Sequence, residues 1–180
     1  MNPGFYEQFP VLETTRLRLR AMTVADDELI FALFSDPEVT RFYDVATMTD
    51  QAQATALADR LRRRFPDRIG IRWVIEVGGR AIGTCGYQGI VAASCRASLG
   101  YELVRDAWGH GYATEAVAAV VEHGHRAMGL HRIDALVYSA NHASGAVLRK
   151  CGFLPEGVLA DYGRLGDQFA DMTIYAHVDR

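Results

Sequence analysis

Along this chain, stretches with a two-residue apolar period alternate with stretches whose apolar residues return every three or four positions, which marks a domain mixing strands and helices. Thr15-Arg16-Leu17-Arg18-Leu19-Arg20 alternates basic and apolar side chains and predicts a strand with one face in water. Thr23-Val24-Ala25-Asp26 has the spacing of a capping box, and Leu29, Ile30, Leu33 and Phe34 fall on one helical stripe, so a first helix should run to about Ser35. Asp36-Pro37 breaks it. A second helical pattern, about 49–65, turns Ala54, Leu57, Ala58 and Leu61 inward and stops at Pro66. Apolar runs at 73–77 and 80–87 flank Gly78-Gly79, which can supply the positive φ of a tight hairpin turn.

A further strand, about 97–104, leads into Trp108-Gly109-His110-Gly111-Tyr112-Ala113-Thr114-Glu115-Ala116. From there Ala116, Val117, Val120, Val121 and Ala127 repeat at helical spacing until Gly129 stops the helix, and a strand follows at 132–138. Strand, glycine turn, helix and strand form a βαβ-like unit, so these glycines lie where a strand delivers the chain to a helix N-terminus. That end carries unpaired N–H groups and partial positive charge, and glycine removes the Cβ that would hinder a phosphate. An anionic, phosphate-bearing ligand is one reading; a sharp structural turn is the other. The dinucleotide fingerprint fits poorly, since Thr114 stands where its third glycine belongs, and a P-loop is excluded by the missing Gly-Lys-Ser/Thr.

Composition narrows the partners. With 180 residues, 49% of them hydrophobic, the chain suits one domain spanning 1–180. A net charge of −3, with basic residues dispersed apart from Arg60, Arg62, Arg63 and Arg64, argues against a nucleic-acid-binding face. The three cysteines, Cys85, Cys95 and Cys151, are widely spaced, and no His/Cys cluster has metal-ligand spacing, so no metal is expected. Without a leader pattern or a long apolar run, the expectation is a soluble cytoplasmic protein with no membrane partner.

The region from about Gly100 to Tyr175 resembles the GNAT superfamily of acyl-CoA-dependent N-acetyltransferases, and within it the branch that acetylates the N-termini of ribosomal proteins. The residues that carry the resemblance are Gly100-Tyr101-x-Leu103, the stretch Trp108 to Ala116, Arg132-Ile133, Asn141-x-x-Ser144, Lys150-x-Gly152-Phe153, Glu156-Gly157, and Asp171 with Tyr175. The likeness extends more weakly to the Thr15–Arg20 strand and to Ile82-Gly83-Thr84. It implies an α/β (α+β) GNAT fold: a mixed, mostly antiparallel sheet of about six to seven strands, splayed near its middle and flanked by about four helices. It also implies acetyl-CoA as cosubstrate and a primary amine as acceptor, either a protein N-terminus or a small molecule. A sheet-mediated homodimer is compatible with it, and a CoA-binding module without transfer activity is the alternative to an enzyme.

What the resemblance implies for individual residues follows the motif. The backbone of Gly109, His110, Gly111, Tyr112, Ala113 and Thr114 would hold the CoA pyrophosphate, with Trp108 in a place where the superfamily has Gln or Arg, a departure typical of this branch. Leu103 and Val104 would offer backbone groups to the pantetheine amides, and Asn141 a side-chain hydrogen bond. The His110 side chain is read as pointing to solvent. Leu148 stands where many members carry a tyrosine as the acid; the branch uses a serine at the position of Ser144 instead, so the resemblance implies Ser144 as proton donor to, or contact of, the leaving sulfur, with helix capping as its other reading. The branch's basic glutamate falls on Gly163; Asp161, Tyr162, Glu102 or a water chain is left to take the amine proton. Glu115 is read as a partner of the helix dipole. Tyr101, Tyr112 and Tyr138 are read as packing residues, with an acceptor contact open to Tyr101. Cys85 and Cys151 are read as core fillers, and no activating His or Lys partner is evident for a cysteine in the sequence.

Overall fold

A computed structural model describes residues 2–180 of the chain. The alternating segments form β1 (Leu12–Glu13), β2 (Leu17–Ala21), β3 (Ile71–Val77), β4 (Arg80–Val91), β5 (Arg96–Leu103), β6 (Arg132–Tyr138), β7 (Leu154–Leu165) and β8 (Gln168–Val178). They make one sheet in the order β1-β2-β3-β4-β5-β6-β8-β7. The helices are α1 (Asp27–Phe34), α2 (Pro37–Thr40), α3 (Gln51–Arg63), α4 (Tyr112–Arg126) and α5 (His142–Lys150). Among the described residues there are eight strands and five α-helices, slightly more than the six to seven strands and four helices expected. β1 has only two residues, too short for alternation to register. Asp36-Pro37, read as a helix break, also starts the one-turn α2: Pro37 lacks the N–H that would go unpaired, and Asp36 Oδ1 accepts from Glu38 N–H at 2.9 Å. No helix among the described residues is long and apolar enough to cross a membrane.

Strand alternation sends neighbouring side chains to opposite faces, and the sheet buries both. Trp73 and Ile75 join a core with Ala116, Val117 and Val120 of α4 and Leu148 of α5. Val74, between them in sequence, joins a second core with Ile30 and Leu33 of α1 and Ala54, Ala58 and Leu61 of α3. The sheet thus lies between two helical layers.

The site comes from an irregularity in this sheet. Every neighbouring pair is antiparallel except β5 and β6, which α4 connects. Their parallel pairing covers only Arg96, Ala97 and Ser98 against Arg132, Ile133 and Asp134. Beyond these residues β5 stays with β4 as far as Leu103, and β6 with β8 as far as Tyr138. The two strands separate, and the sheet is open between residues 99–103 and 135–138.

Candidate active site

One lip of this opening runs from β5 into α4. Gly109 and Gly111 have φ of 78° and 80°, a region in which a side chain is strained, so glycine is what lets the chain turn here. Trp108 Nε1–H donates to Leu103 C=O at 2.8 Å and ties the turn to the strand end. Gly111 is the N-cap of the 15-residue α4 and has no side chain with which to cap it. The N–H groups of Tyr112, Ala113 and Thr114 therefore begin a helix that cannot satisfy them itself. The His110 ring is exposed and stacks on Tyr112, with centroids 5.5 Å apart and planes 11° apart.

This turn is braced from 99 residues away in sequence. Glu115 in the first turn of α4 accepts from Thr14 Oγ1 at 2.6 Å, from Arg16 N–H at 2.9 Å and from Arg16 Nε at 2.7 Å. Arg16 Nη1 donates to His110 C=O at 2.9 Å, and its guanidinium lies 4.8 Å from the Tyr112 ring centroid. Partial burial opposes the Glu115 charge, but the donors from Thr14 and Arg16 outweigh it and hold the carboxyl below its usual range. Glu115 is therefore a tether as well as a dipole partner. The sequence pattern places Arg16 on the wet face of a strand, where a basic residue gives no sign of a distant partner; in the structure β2 begins only at Leu17, and Arg16 lies in the turn before it.

Backbone pairing decides which groups face the opening. Val104 N–H donates to Ile82 C=O at 2.9 Å, and Val104 C=O accepts from Ala107 N–H at 3.0 Å, so both groups are engaged within the chain. In the antiparallel register the adjoining pair, Gly83 with Leu103, is then a non-bonded one, as is Cys85 with Tyr101. The backbone groups of Leu103 and Tyr101 consequently turn away from β4, toward the gap. The Leu103 carbonyl meets Trp108 there, and the Tyr101 carbonyl accepts from Tyr43 OH at 3.3 Å.

The opposite lip is the passage from β6 into α5. Asn141 Oδ1 accepts from Ser144 N–H at 3.1 Å, which makes Asn141 the cap of α5 and leaves its NH₂ group for other partners. Ser144 Oγ lies 2.8 Å from Tyr101 OH, and the same hydroxyl is 3.1 Å from Ser144 C=O. Leu148, one turn further on, is fully buried.

Beyond α5, β7 bulges: Ala160, Asp161 and Tyr162 lie between the pairs Leu159–Met172 and Gly163–Ala170, so three residues oppose Asp171 alone. Asp161 adopts φ of 52°, and its N–H donates to Asp171 Oδ1 at 2.9 Å. Both aspartates line a depression of about 320 Å³ with Tyr138, Ser139, Ala140, Leu165, Phe169 and Ala170. Gly163 is glycine for a steric reason, since a Cβ there would lie 2.4 Å from Tyr138 Cε1. Tyr162 is 61% exposed. Glu102 is buried in an ion pair with Arg72 and also accepts from Thr84 Oγ1 and, at 3.0 Å, from Tyr43 OH. It lies on the face opposite Tyr101, with both of its carboxylate oxygens engaged.

Two of the thiols, Cys85 and Cys151, are poorly suited to nucleophilic catalysis. Burial pushes Cys85 up to about 12 and Cys151 up to about 11. Cys85 is in the core, and Cys151 donates to Thr114 C=O at 3.3 Å.

With this geometry in hand, the chain can be set beside known proteins. Residues 16–154 match the acetyltransferase (GNAT) domain model. An uncharacterized N-acetyltransferase of Bacillus subtilis, YoaA, is 40% identical over 172 residues, covering 94% of this chain and 97% of the relative. The solved structure of RimL, a ribosomal alpha-N-protein acetyltransferase in complex with coenzyme A, superposes with a TM-score of 0.87 at 20% identity, covering 94% of this chain and 98% of the other. The microcin C7 self-immunity acetyltransferase MccE, solved with acetyl-CoA and AMP, gives 0.83 at 19% identity over 92% and 94% of the two chains.

Proposed function

Since this chain belongs to the acetyltransferase (GNAT) family, we propose that it transfers the acetyl group of acetyl-CoA directly to a primary amine, with a protein N-terminal α-amine as the first acceptor to test. The observation that carries this reading is the early separation of β5 from β6, which leaves a gap with the Gly109–Thr114 turn on one lip and Ser144 on the other. The glycine conformations and the uncapped helix start fit a pyrophosphate, which takes up unpaired N–H groups and the positive end of the helix dipole. The gap-facing N–H groups of Leu103 and Tyr101, whose carbonyls already accept from Trp108 and Tyr43, fit the amide oxygens of a pantetheine arm better than Val104, both of whose groups are engaged. Asn141 retains an NH₂ group for the same arm.

Three tasks remain at the thioester: removing a proton from the ammonium, polarising the carbonyl and protonating the departing sulfur. Ser144 serves the sulfur: its hydroxyl lies in the first turn of α5 on the lip of the gap, and Leu148, in the usual tyrosine place, has no donor. Asp161, presented by the bulge beside Asp171, is the better base of the two carboxylates considered, since Glu102 is sealed beneath Arg72. A small-molecule amine is the second reading, favoured by the modest volume of the Asp161–Asp171 depression.

Thiol release from acetyl-CoA, followed with unblocked N-terminal peptides and small amines in parallel, tests the proposal. Release that depends on an amine supports transfer, and the better acceptor class chooses between the readings. Tight acetyl-CoA binding with no turnover on either panel would make the chain a binding module. Within an active enzyme, Ser144→Ala should lower kcat by roughly 10²-fold.

A further inference from the structure

Tyr101 and Ser144 belong to opposite lips of the split sheet, yet their hydroxyls meet at 2.8 Å. Tyr101 is carried by β5 where that strand has already left β6, paired with Cys85 of β4. Ser144 is in the first turn of α5, its N–H held by Asn141 Oδ1 at 3.1 Å. The tyrosine hydroxyl has one proton and two acceptors on the same residue, Oγ at 2.8 Å and the backbone carbonyl at 3.1 Å. A turn of that hydroxyl decides what the serine proton does. When Tyr101 donates to the carbonyl, Ser144 Oγ–H is free to donate back to the tyrosine oxygen. When Tyr101 donates to Oγ, the serine proton must point elsewhere.

We propose that Tyr101 is a positioning residue for acetyl transfer: by donating to Ser144 Oγ it turns the serine proton toward the departing CoA sulfur. This rests on the reading of Ser144 as the group that meets that sulfur. Tyr101 gives up no proton itself. Its burial pushes the phenol well above its ordinary range, so it stays a donor across the pH range in which an amine acts as nucleophile. A hydrogen bond received by Oγ polarises its O–H, so the pair meets a developing thiolate better than the serine alone. The ring is fixed by core packing on the α4–α5 side of the sheet, which leaves the hydroxyl little freedom to wander.

The test needs no acceptor, because CoA is itself the product whose thiolate the pair would stabilise. The thiol of CoA bound to the intact protein is titrated by its thiolate absorbance in the parent, Tyr101→Phe, Ser144→Ala and the double variant. Two stabilising hydroxyls should hold the bound thiol lowest in the parent. Tyr101→Phe should raise its midpoint by roughly 0.5 pH unit, a fraction of what a hydrogen bond to a charged group is worth. Ser144→Ala should raise it further, and adding Tyr101→Phe to Ser144→Ala should then change nothing. CoA affinity at neutral pH should stay within about twofold throughout, since the thiol is then mostly protonated. An unchanged midpoint in Tyr101→Phe beside a raised one in Ser144→Ala would overturn the tyrosine's role alone. The same rise with and without the serine would overturn it as well, by showing a direct or purely structural effect. A parent midpoint matched by Ser144→Ala would overturn the serine reading together with the tyrosine's. Phenylalanine keeps the ring, and matched melting curves show that the fold is retained.

Discussion

Gly111 and Gly163 are both glycine, for different reasons. Gly111 needs a left-handed backbone at the start of α4 and leaves that helix end without a covering side chain. Gly111→Val forces a β-branched residue into φ of 80° and places methyl groups over the first-turn N–H groups. Acetyl-CoA affinity, measured by calorimetry on the folded variant, should fall by more than about tenfold, which corresponds to the loss of a single charge-assisted hydrogen bond. Gly163 instead makes room for the Tyr138 ring. Gly163→Glu, which would return the glutamate expected from the resemblance, should therefore cost stability by about 1–3 kcal/mol in chemical denaturation, as overpacking does, and leave turnover no faster than the parent's. The sequence exposed that the carboxylate was missing. Its steric cause lies in the packing of Tyr138, 25 residues before Gly163, and no local pattern reports it.

Among the elements, the regular ones were legible because period and capping agree in them. The 73–77 and 80–87 hairpin arms, the α3 stripe and β6 match the observed segments closely, and Gly129 with φ of 68° follows α4 as the stop. The Thr23–Asp26 box is also present, with Asp26 Oδ2 accepting from Thr23 N–H at 2.7 Å. It opens a short 3₁₀ turn before α1, and Arg20 clamps the same carboxylate with contacts of 2.8 Å to each oxygen. Burial would raise Asp26, but the bonds from Arg20 and Thr23 prevail and hold it below the usual carboxylate range. A lowered folded-state value contributes stability that is present above the unfolded value, about 4, and is lost as pH falls through the folded one. Asp26→Asn should therefore melt well below the parent at pH 7, and the two curves should converge as the pH drops below about 4.

The tether of α4 to the β1–β2 turn was not legible, since Thr14, Arg16 and Glu115 are united only by the fold. Glu115→Gln keeps size and one acceptor while removing the charge that Arg16 grips at 2.6 Å. It should loosen the Gly109–Thr114 turn and raise the KM for acetyl-CoA by about tenfold, the scale of one hydrogen bond to a charged group. The kcat at saturation should change little, which separates a binding turn from the reacting centre.

At the level of the whole molecule, an element's usual role is to fill the sheet, and the proposed function rests on a place where the sheet stops being filled. α4 connects two parallel strands that pair for three residues and then separate, so the helix N-terminus, the gap-facing backbone and the α5 cap converge on one opening. Periodicity announces each strand without saying how far it stays beside its neighbour; the splay was foreseen through family resemblance. The Asp161–Asp171 depression, proposed to receive the acceptor, was least legible, because it arises from a bulge that places three residues against one. The central claim is direct transfer from CoA to amine within that opening. Single-turnover reaction with acetyl-labelled acetyl-CoA and the best amine of the panel tests it most directly, with acceptor and protein analysed separately through time. Label should reach the amine at the rate at which free CoA thiol appears, with none on the protein at any time. A labelled protein species that forms and decays at the transfer rate, on a cysteine or elsewhere, would contradict the account.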